Sequence, residues 1–246
     1  MTIDVKSARE VRPKVKRVYK IVTLGDEGGK FRVLLDGKAV RTPMRAALET
    51  PRRALAEALA AEWDAQNPHI ESEKMPLTRL VSTALDRVTP ERAALIDELM
   101  KYTDADLLCY RVAFPIPLKA RQDTLWQPVL DWLAGHSGIS MRTADGLMPL
   151  SQTPETVAAL RAALEALDDE TLTALQATAA IANSLALSLA HVHGRLTAAE
   201  VYAAAVLDET FQMEKWGEDD LALERRRNID ADLRAIGEYL RLVKLP

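Results

Sequence analysis

The chain has 246 residues, of which 48% are hydrophobic, so it can bury a substantial core and is not an intrinsically disordered protein. Its 36 acidic and 32 basic residues leave a net charge of only −4. That balance excludes a general nucleic-acid binder, which needs a basic excess to displace counterions from phosphates. No apolar run approaches the roughly 20 residues that cross a bilayer, so no membrane insertion is expected.

The first 20 residues are basic but contain no apolar segment, so they do not form a secretory signal. A transit peptide would be poor in acids, whereas Asp4 and Glu10 occur here. We interpret residues 6–17 as an exposed basic arm that leads into the first strand. The lack of a clear targeting segment favours a bacterial cytoplasmic protein, and the single cysteine, Cys109, fits a reducing compartment.

Residues 15–42 are predicted to form β-structure. The segment VKRVYKIVTL is rich in Val, Ile and Tyr, which suit a pleated, half-buried surface. Asp36-Gly37 lies between two further apolar segments, and such a pair predicts a hairpin with a type I′ turn. GDEGGKF resembles a phosphate loop only superficially, because the spacing and the following helix of that motif are missing.

Helices are predicted from residue 50 onward. Thr50 is expected to cap a first helix with Leu55, Leu59 and Trp63 on one face, ending at Asn67-Pro68. An apolar face over 77–88 predicts a second helix, and Thr89 before Pro90 predicts the start of a third. A fourth is expected over 118–134, ending at Gly135.

The second half of the chain is also predicted to be helical, after a connector over 136–153 with an irregular or extended piece at 139–142. Thr153 is expected to cap one helix, and a long helix is expected over 170–193. Thr197 and Glu200 form a capping-box pattern that opens a helix over 198–216, and a last helix is expected over 219–243. The predicted fold class is α+β: a small β-rich N-terminal domain with the basic arm (1–49), followed by a larger all-helical C-terminal domain (50–246).

Residues with catalytic or metal-binding chemistry are few. His191 and His193 lie two apart and point about 200° from each other on a helix, so we interpret them as helix-end residues that contact C-terminal carbonyls. Cys109 has apolar neighbours, which favours a buried structural thiol. No nucleophile, dinucleotide or zinc motif occurs, so neither a cofactor nor a metal is expected.

The stretch LDETFQMEKWG (207–217) is the most informative segment. Wound as one helix with 198–206, it places Ala204, Leu207 and Phe211 on a core side. Glu209, Gln212 and Trp216 then lie on a second side that is free to face outward, with Asp208 at the margin. Trp is a favoured interface anchor, so this side is either a docking surface or a solvated face whose Trp packs on the last helix.

The same stretch, preceded by SLALSLAHVHG (184–194), resembles the C-terminal signature of the ATP synthase assembly chaperones that act on the α subunit of the catalytic sector. Other segments agree in order along essentially the whole chain: RVYKIVTL, FRVLLDGKAVRTP, AAEWDAQ (60–66), MPLTRLVSTALDRV (75–88) and TDADLLCYR (103–111). The family's acidic pair falls on Asp208 and Glu209, and its Gln and Trp-Gly fall on Gln212, Trp216 and Gly217.

The resemblance implies a chaperone, not an enzyme, that holds the unassembled α subunit until it pairs with β, without a small-molecule substrate. It implies a bacterial cytoplasmic location, or the mitochondrial matrix in organellar members. The family's other Trp falls on Trp63, which shares a stripe with Leu55 and Leu59 and so is either structural or functional. After Trp-Gly this chain reads EDDLALERRR, without the His-Asp element often found there.

Two alternatives stay open from the residues alone. One is a generic protein-interaction scaffold with a different client. An enzyme of unknown reaction could have its site between the β-rich and helical parts, with scattered acids such as Asp104 and Asp106. Acids two residues apart are more often solvated than paired for acid–base work.

Overall fold

A computed structural model describes residues 15–146 and 149–245. Residues 6–14 of the basic arm therefore lie outside the described residues. The fold is a small sheet followed by a larger set of helices, so the predicted fold class is confirmed. The division into domains at residues 49 and 50 stays a prediction, and α1 (Arg53–Asp64) packs directly on the sheet.

The sheet is built around one hairpin. Strands β2 (Val22–Glu27) and β3 (Lys30–Leu35) pair antiparallel, and β3 also pairs with β4 (Lys38–Ala39) and β5 (Glu49–Thr50). Between β3 and β4, Asp36 and Gly37 have φ values of 48° and 80°. Both φ values are positive, as a type I′ turn requires, so the predicted hairpin is confirmed.

Four further short strands lie outside this sheet. β1 (Val15–Lys16) pairs antiparallel with β6 (His69–Ile70), and β7 (Tyr110–Arg111) pairs in parallel with β8 (Ala144–Asp145). The remaining helices are α2 (Pro76–Thr83), α3 (Thr89–Met100), α4 (Ile116–Ser137), α5 (Pro154–Glu165), α6 (Asp169–Ala182), α7 (Leu185–Val192), α8 (Ala198–Ala205), α9 (Leu207–Trp216) and α10 (Asp220–Val243). None of the helices in the described ranges is long and apolar enough to span a membrane.

Two threonines that were predicted to cap helices form other hydrogen bonds in the structure. Thr50 lies in β5, and its hydroxyl accepts from Arg52 N (3.1 Å) and donates to Glu170 (2.9 Å). Thr89 is the first residue of α3 but does not cap it, because α2 continues through a wider turn over 84–88 into α3. The Thr89 hydroxyl donates instead to Asp169 (2.8 Å). Both side chains therefore form tertiary hydrogen bonds, which a local capping pattern does not reveal.

Three predicted helix boundaries were also wrong. Gly135 lies inside α4, which ends at Ser137 and is capped by Gly138 with φ of 66°. The single helix predicted over 170–193 breaks at Asn183, which is left-handed (φ 50°), and α7 restarts with Ser184 as its cap. The helix predicted over 198–216 breaks at Val206. By contrast, the caps at Thr153 and at Thr197 with Glu200 are confirmed.

Helix α7 is the centre of the helical part, since every residue from Leu185 to Val192 is buried. It packs against α4, α6 and α8, while α10 crosses α8, α6 and α2 and also contacts α1.

His191 lies inside this core, and its Nδ1 is 3.1 Å from the Thr178 hydroxyl, not against helix-end carbonyls as expected. Burial lowers its pKa to about 4, with a smaller effect from Lys244. Burial likewise raises the pKa of Cys109 to about 12, which fits the predicted structural thiol.

Asp106 joins the segment after α3 to the start of α7. One carboxylate oxygen accepts from Leu108 N (3.0 Å) and Ser184 Oγ (2.7 Å), and the other from Ala186 N (3.1 Å). The residue is fully buried, and burial raises its pKa although these donors favour the charged form. Because all of these partners are donors, an acceptor-only group fits the position.

We expect Asp106→Asn to lower the free energy of unfolding by about 2 kcal/mol or more, since its amide would turn a donor toward another donor. Asp104→Asn is the matched control, because Asp104 is exposed and its carboxylate accepts one hydrogen bond within the described ranges, from Gln152 N (3.0 Å). It should change the free energy by less than about 1 kcal/mol. Urea unfolding at pH 7 measures both, and equal effects would contradict this role for Asp106.

Candidate partner-binding site

The break at Val206 determines how α9 is presented. Val206 has φ −106° and ψ 17°, so α8 ends there and α9 takes a new direction. Leu207 and Phe211 are buried, as the predicted core side requires, and α9 packs on α4. The outward side is therefore built from α9 alone and does not continue in a straight line from Tyr202 and Ala205.

Asp208 is half-buried and faces α4. Its carboxylate accepts from Gln122 Nε2 at 2.9 Å, and the Gln122 side-chain oxygen accepts from Val112 N at 2.9 Å. Gln122 is itself fully buried. Asp208 therefore anchors α9 to the core through a buried amide, in addition to any contact that it makes with a partner.

Glu209 is a surface residue. Its carboxylate lies 2.6 Å from Arg225 of α10, and the two side chains are 42% and 62% exposed. Glu214 pairs similarly with Arg121 of α4 at 2.8 Å, which lowers the pKa of the Glu214 carboxyl. Exposed ion pairs stabilise a fold by at most about 1 kcal/mol, so these acids are available for exchange with another charged group.

Gln212 and Trp216 point away from the fold. Gln212 is exposed, and 77% of Trp216 is accessible to solvent. Gly217 ends α9 with φ of 88°, a conformation that favours glycine, and its N–H donates to Met213 O at 2.9 Å. Leu221, just after this turn, is also highly exposed. The corner between α9 and α10 therefore presents large apolar side chains on a fixed backbone.

Trp63 belongs to a separate surface. It lies on α1, where its ring is 6.1 Å from that of Tyr19 and its carbonyl accepts from the Tyr19 hydroxyl at 2.6 Å. With Ile70 and Met75 it lines a cleft of about 640 Å³, and no residue of α9 is among the described residues around that cleft. The Nε1 of Trp63 is buried and has no hydrogen-bond partner within the described ranges. The structure therefore does not bring Trp63 together with Trp216.

Asp104 and Asp106, the acids considered for an enzyme, do not lie in the cleft between the sheet and the helices. A cleft of about 580 Å³ does lie there, lined by Glu49, Arg52 and Glu170 among others. Neither Asp104 nor Asp106 is among its described lining residues. Both accept backbone hydrogen bonds, and Asp106 is closed off from solvent.

The arginines that face α9 were missed by sequence reasoning. Arg121 lies in α4 and Arg225 in α10. Because neither belongs to α9, residue spacing along that helix does not predict their ion pairs with its acids. The three consecutive arginines at 225–227 were the available signal. They indicate a basic face beside an acidic helix, but not which arginine pairs with which acid.

Comparison with known proteins identifies relatives along nearly the whole chain. A family model described as "ATP12 chaperone protein" matches residues 16–134. The mitochondrial protein atp12 of Schizosaccharomyces pombe is 25% identical, over 89% of this chain and 78% of its own length. The mitochondrial ATP12 of Saccharomyces cerevisiae is 24% identical, over 78% of this chain and 72% of its own length.

Solved structures agree with this chain in fold. Atp12 from Paracoccus denitrificans is 35% identical with a TM-score of 0.88, over 94% of this chain and 99% of that one. An aspartate-to-lysine variant of that protein matches with the same TM-score, over 98% of its length. A protein from Agrobacterium tumefaciens, described as a candidate chaperone, is 40% identical with a TM-score of 0.88, over 93% of this chain and 86% of that one.

The geometry separates the two neighbouring acids of α9. Asp208→Lys should lower the free energy of unfolding by about 2 kcal/mol, because it leaves the buried Gln122 amide unpaired and places a cation beside it. Glu209→Lys should lower it by less than about 1 kcal/mol, since only an exposed ion pair is lost. Thermal and urea unfolding of the two variants check this, and a larger loss for Glu209→Lys would contradict it.

Proposed function

This chain belongs to the ATP12 chaperone family, and we propose that it binds the unassembled α subunit of ATP synthase through α9. In this role it covers the α-subunit interface that aggregates when unpaired, until the β subunit takes its place. Chaperones that hold a client in this way need no nucleotide chemistry of their own. We further propose that it acts in the bacterial cytoplasm, whereas the two fungal relatives are mitochondrial by name.

The exposure of Trp216 supports this proposal most directly. The fold already uses Leu207 and Phe211 of the same helix to bury α9 against the core, so it does not need Trp216 for packing. A Trp that is 77% exposed leaves a large apolar area in water, and such residues anchor protein interfaces. Gln212 supplies an adaptable polar group beside it. Gly217 contributes through its backbone, which ends the helix directly after the anchor.

The acids of α9 contribute differently from one another. Glu209 remains partly exposed while paired with Arg225, so a basic group of the client can exchange with that arginine. Asp208 supports the contact by holding α9 against Gln122. Trp63 would act at the second surface, where a cleft of about 640 Å³ offers apolar walls to another segment of the client.

A non-enzymatic role is part of the proposal. The relatives are named as chaperones, and the acids considered for catalysis, Asp104 and Asp106, accept structural hydrogen bonds. No group of three or more His, Cys, Asp or Glu side chains in the described ranges could hold a metal ion. We propose an activity that rests on protein contact, without cofactor or small-molecule substrate.

Trp216→Ala should weaken capture of the co-expressed α subunit by about tenfold or more, because it removes the exposed anchor without touching the core. Ile21→Ala, which truncates another highly exposed apolar residue, is the control and should capture α normally. Pull-down of α and β subunits expressed separately, with the solubility of each, is the measurement. Failure of the unaltered chain to retain α, or equal retention of β, would contradict the proposal.

A further inference from the structure

Arg226 lies on the side of α10 that faces α8 and α9, and its guanidinium has an unusual set of partners. The residue is half-buried, and its guanidinium donates to the Tyr202 hydroxyl (3.1 Å), the Thr210 hydroxyl (3.0 Å) and the Met213 sulfur (3.2 Å). It also lies 5.7 Å from the centre of the Tyr202 ring. All of these partners are neutral. Among the described residues, no carboxylate lies within ion-pairing distance of Arg226.

Two other arginines next to α9 are arranged in the opposite way. Arg225 and Arg121 are more exposed, and each is neutralised by an acid of α9, Glu209 and Glu214 respectively. A cation loses more hydration when it is partly buried, so the less exposed arginine has the greater need of an anion. Yet Arg226 is the one held by neutral groups alone. Its charge is therefore available to a group from outside the chain.

A cleft of about 570 Å³ gives access to this charge. It runs between α4 and the corner of α8 and α9, and its walls are largely apolar, with Leu125 40% exposed at the edge and Val206 and Leu207 deeper in. Arg226, Arg121 and Tyr202 supply polar groups in the lining. None of the described residues that line the cleft carries a carboxylate. The cleft thus combines positive charge with apolar surface.

On the basis of the proposed function, we propose that this cleft binds an acidic side chain of the client, an Asp or Glu that lies beside an apolar residue. A carboxylate accepts charge-assisted hydrogen bonds from a guanidinium, which are stronger than those of the hydroxyls and the sulfur now in contact with it. The neighbouring apolar residue would lie against Leu125 and the deeper walls. This contact favours an acidic group of the client, whereas Glu209 attracts a basic group.

The cleft can be tested without the client. The probes are two capped tripeptides, acetyl-Leu-Asp-Leu-amide and acetyl-Leu-Asn-Leu-amide, titrated into the full chain while the amide NMR shifts of Leu125 and Thr210 are followed. The Asp peptide should bind about tenfold or more tightly than the Asn peptide. Arg226→Gln should abolish this preference. Arg241→Gln should retain it, since Arg241 lies about 22 Å further along the same helix and pairs with Glu238.

Two variants separate binding of the anion from support of the fold. Tyr202→Phe removes one hydrogen-bond partner of Arg226 but keeps the charge, so the preference for the Asp peptide should survive. Loss of the preference in Tyr202→Phe as well as in Arg226→Gln would give Arg226 a structural role only and overturn the proposal. Equal binding of the two peptides by the unaltered chain would also overturn it.

Capture of the α subunit tests the same contact with the client. Leu125→Asp places a competing carboxylate at the edge of the cleft and should weaken capture by about tenfold, whereas Leu125→Asn should weaken it less. If Trp216→Ala abolishes capture but Arg226→Gln and Leu125→Asp do not, this inference fails while the proposed function stands. If the unaltered chain captures no α subunit but discriminates between the peptides, the proposed function fails and the carboxylate site stands.

Discussion

The complete burial of α7 is the constraint on which the rest of the structure depends. An eight-residue helix inside a core must have its polar ends satisfied by other parts of the chain. Asp106 and Ser184 accept the N–H groups at its start, and Lys244 from the end of the chain donates to Val192 O at 3.2 Å. The loop after α3 and the last residues of α10 are thereby fixed around one element.

The candidate binding surface follows from this arrangement. Since α7 fixes α4 and α8, the chain can turn at Val206 and lay α9 on α4 through Phe211 and Asp208. The remaining side of α9 has no packing role, so Trp216 stays exposed at no cost to the core. Glu209 and Glu214 are paired with arginines of α10 and α4, whereas Arg226 has no carboxylate within ion-pairing distance among the described residues. Recognition then depends on an apolar anchor with charges of both signs around it.

Local chemistry in the sequence predicted a good part of this fold. The Asp36-Gly37 turn, the Thr197–Glu200 box and the buried side of α9 depend on neighbouring residues, and the structure confirms all of them. Errors arose where a distant contact decided the outcome. Thr50 and Thr89 bond to acids of α6 rather than capping helices, and the breaks at Asn183 and Val206 have no glycine or proline to mark them. The hydrogen bonds between Asp208 and Gln122, and those from Arg226 to its neutral partners, likewise join different segments of the chain.

The central claim is that α9 faces the client, and a site-specific photocrosslinker in place of Gln212 tests it most directly. The Gln212 side chain is exposed and does not belong to the core, so we expect the replacement to leave the fold intact. With both subunits of ATP synthase expressed separately, we expect crosslinks from this position to the unassembled α subunit. We expect none to β, and none to α from the same group at the exposed Lys101 in the turn after α3. Crosslinks to α from both positions alike, or from neither, would contradict the account.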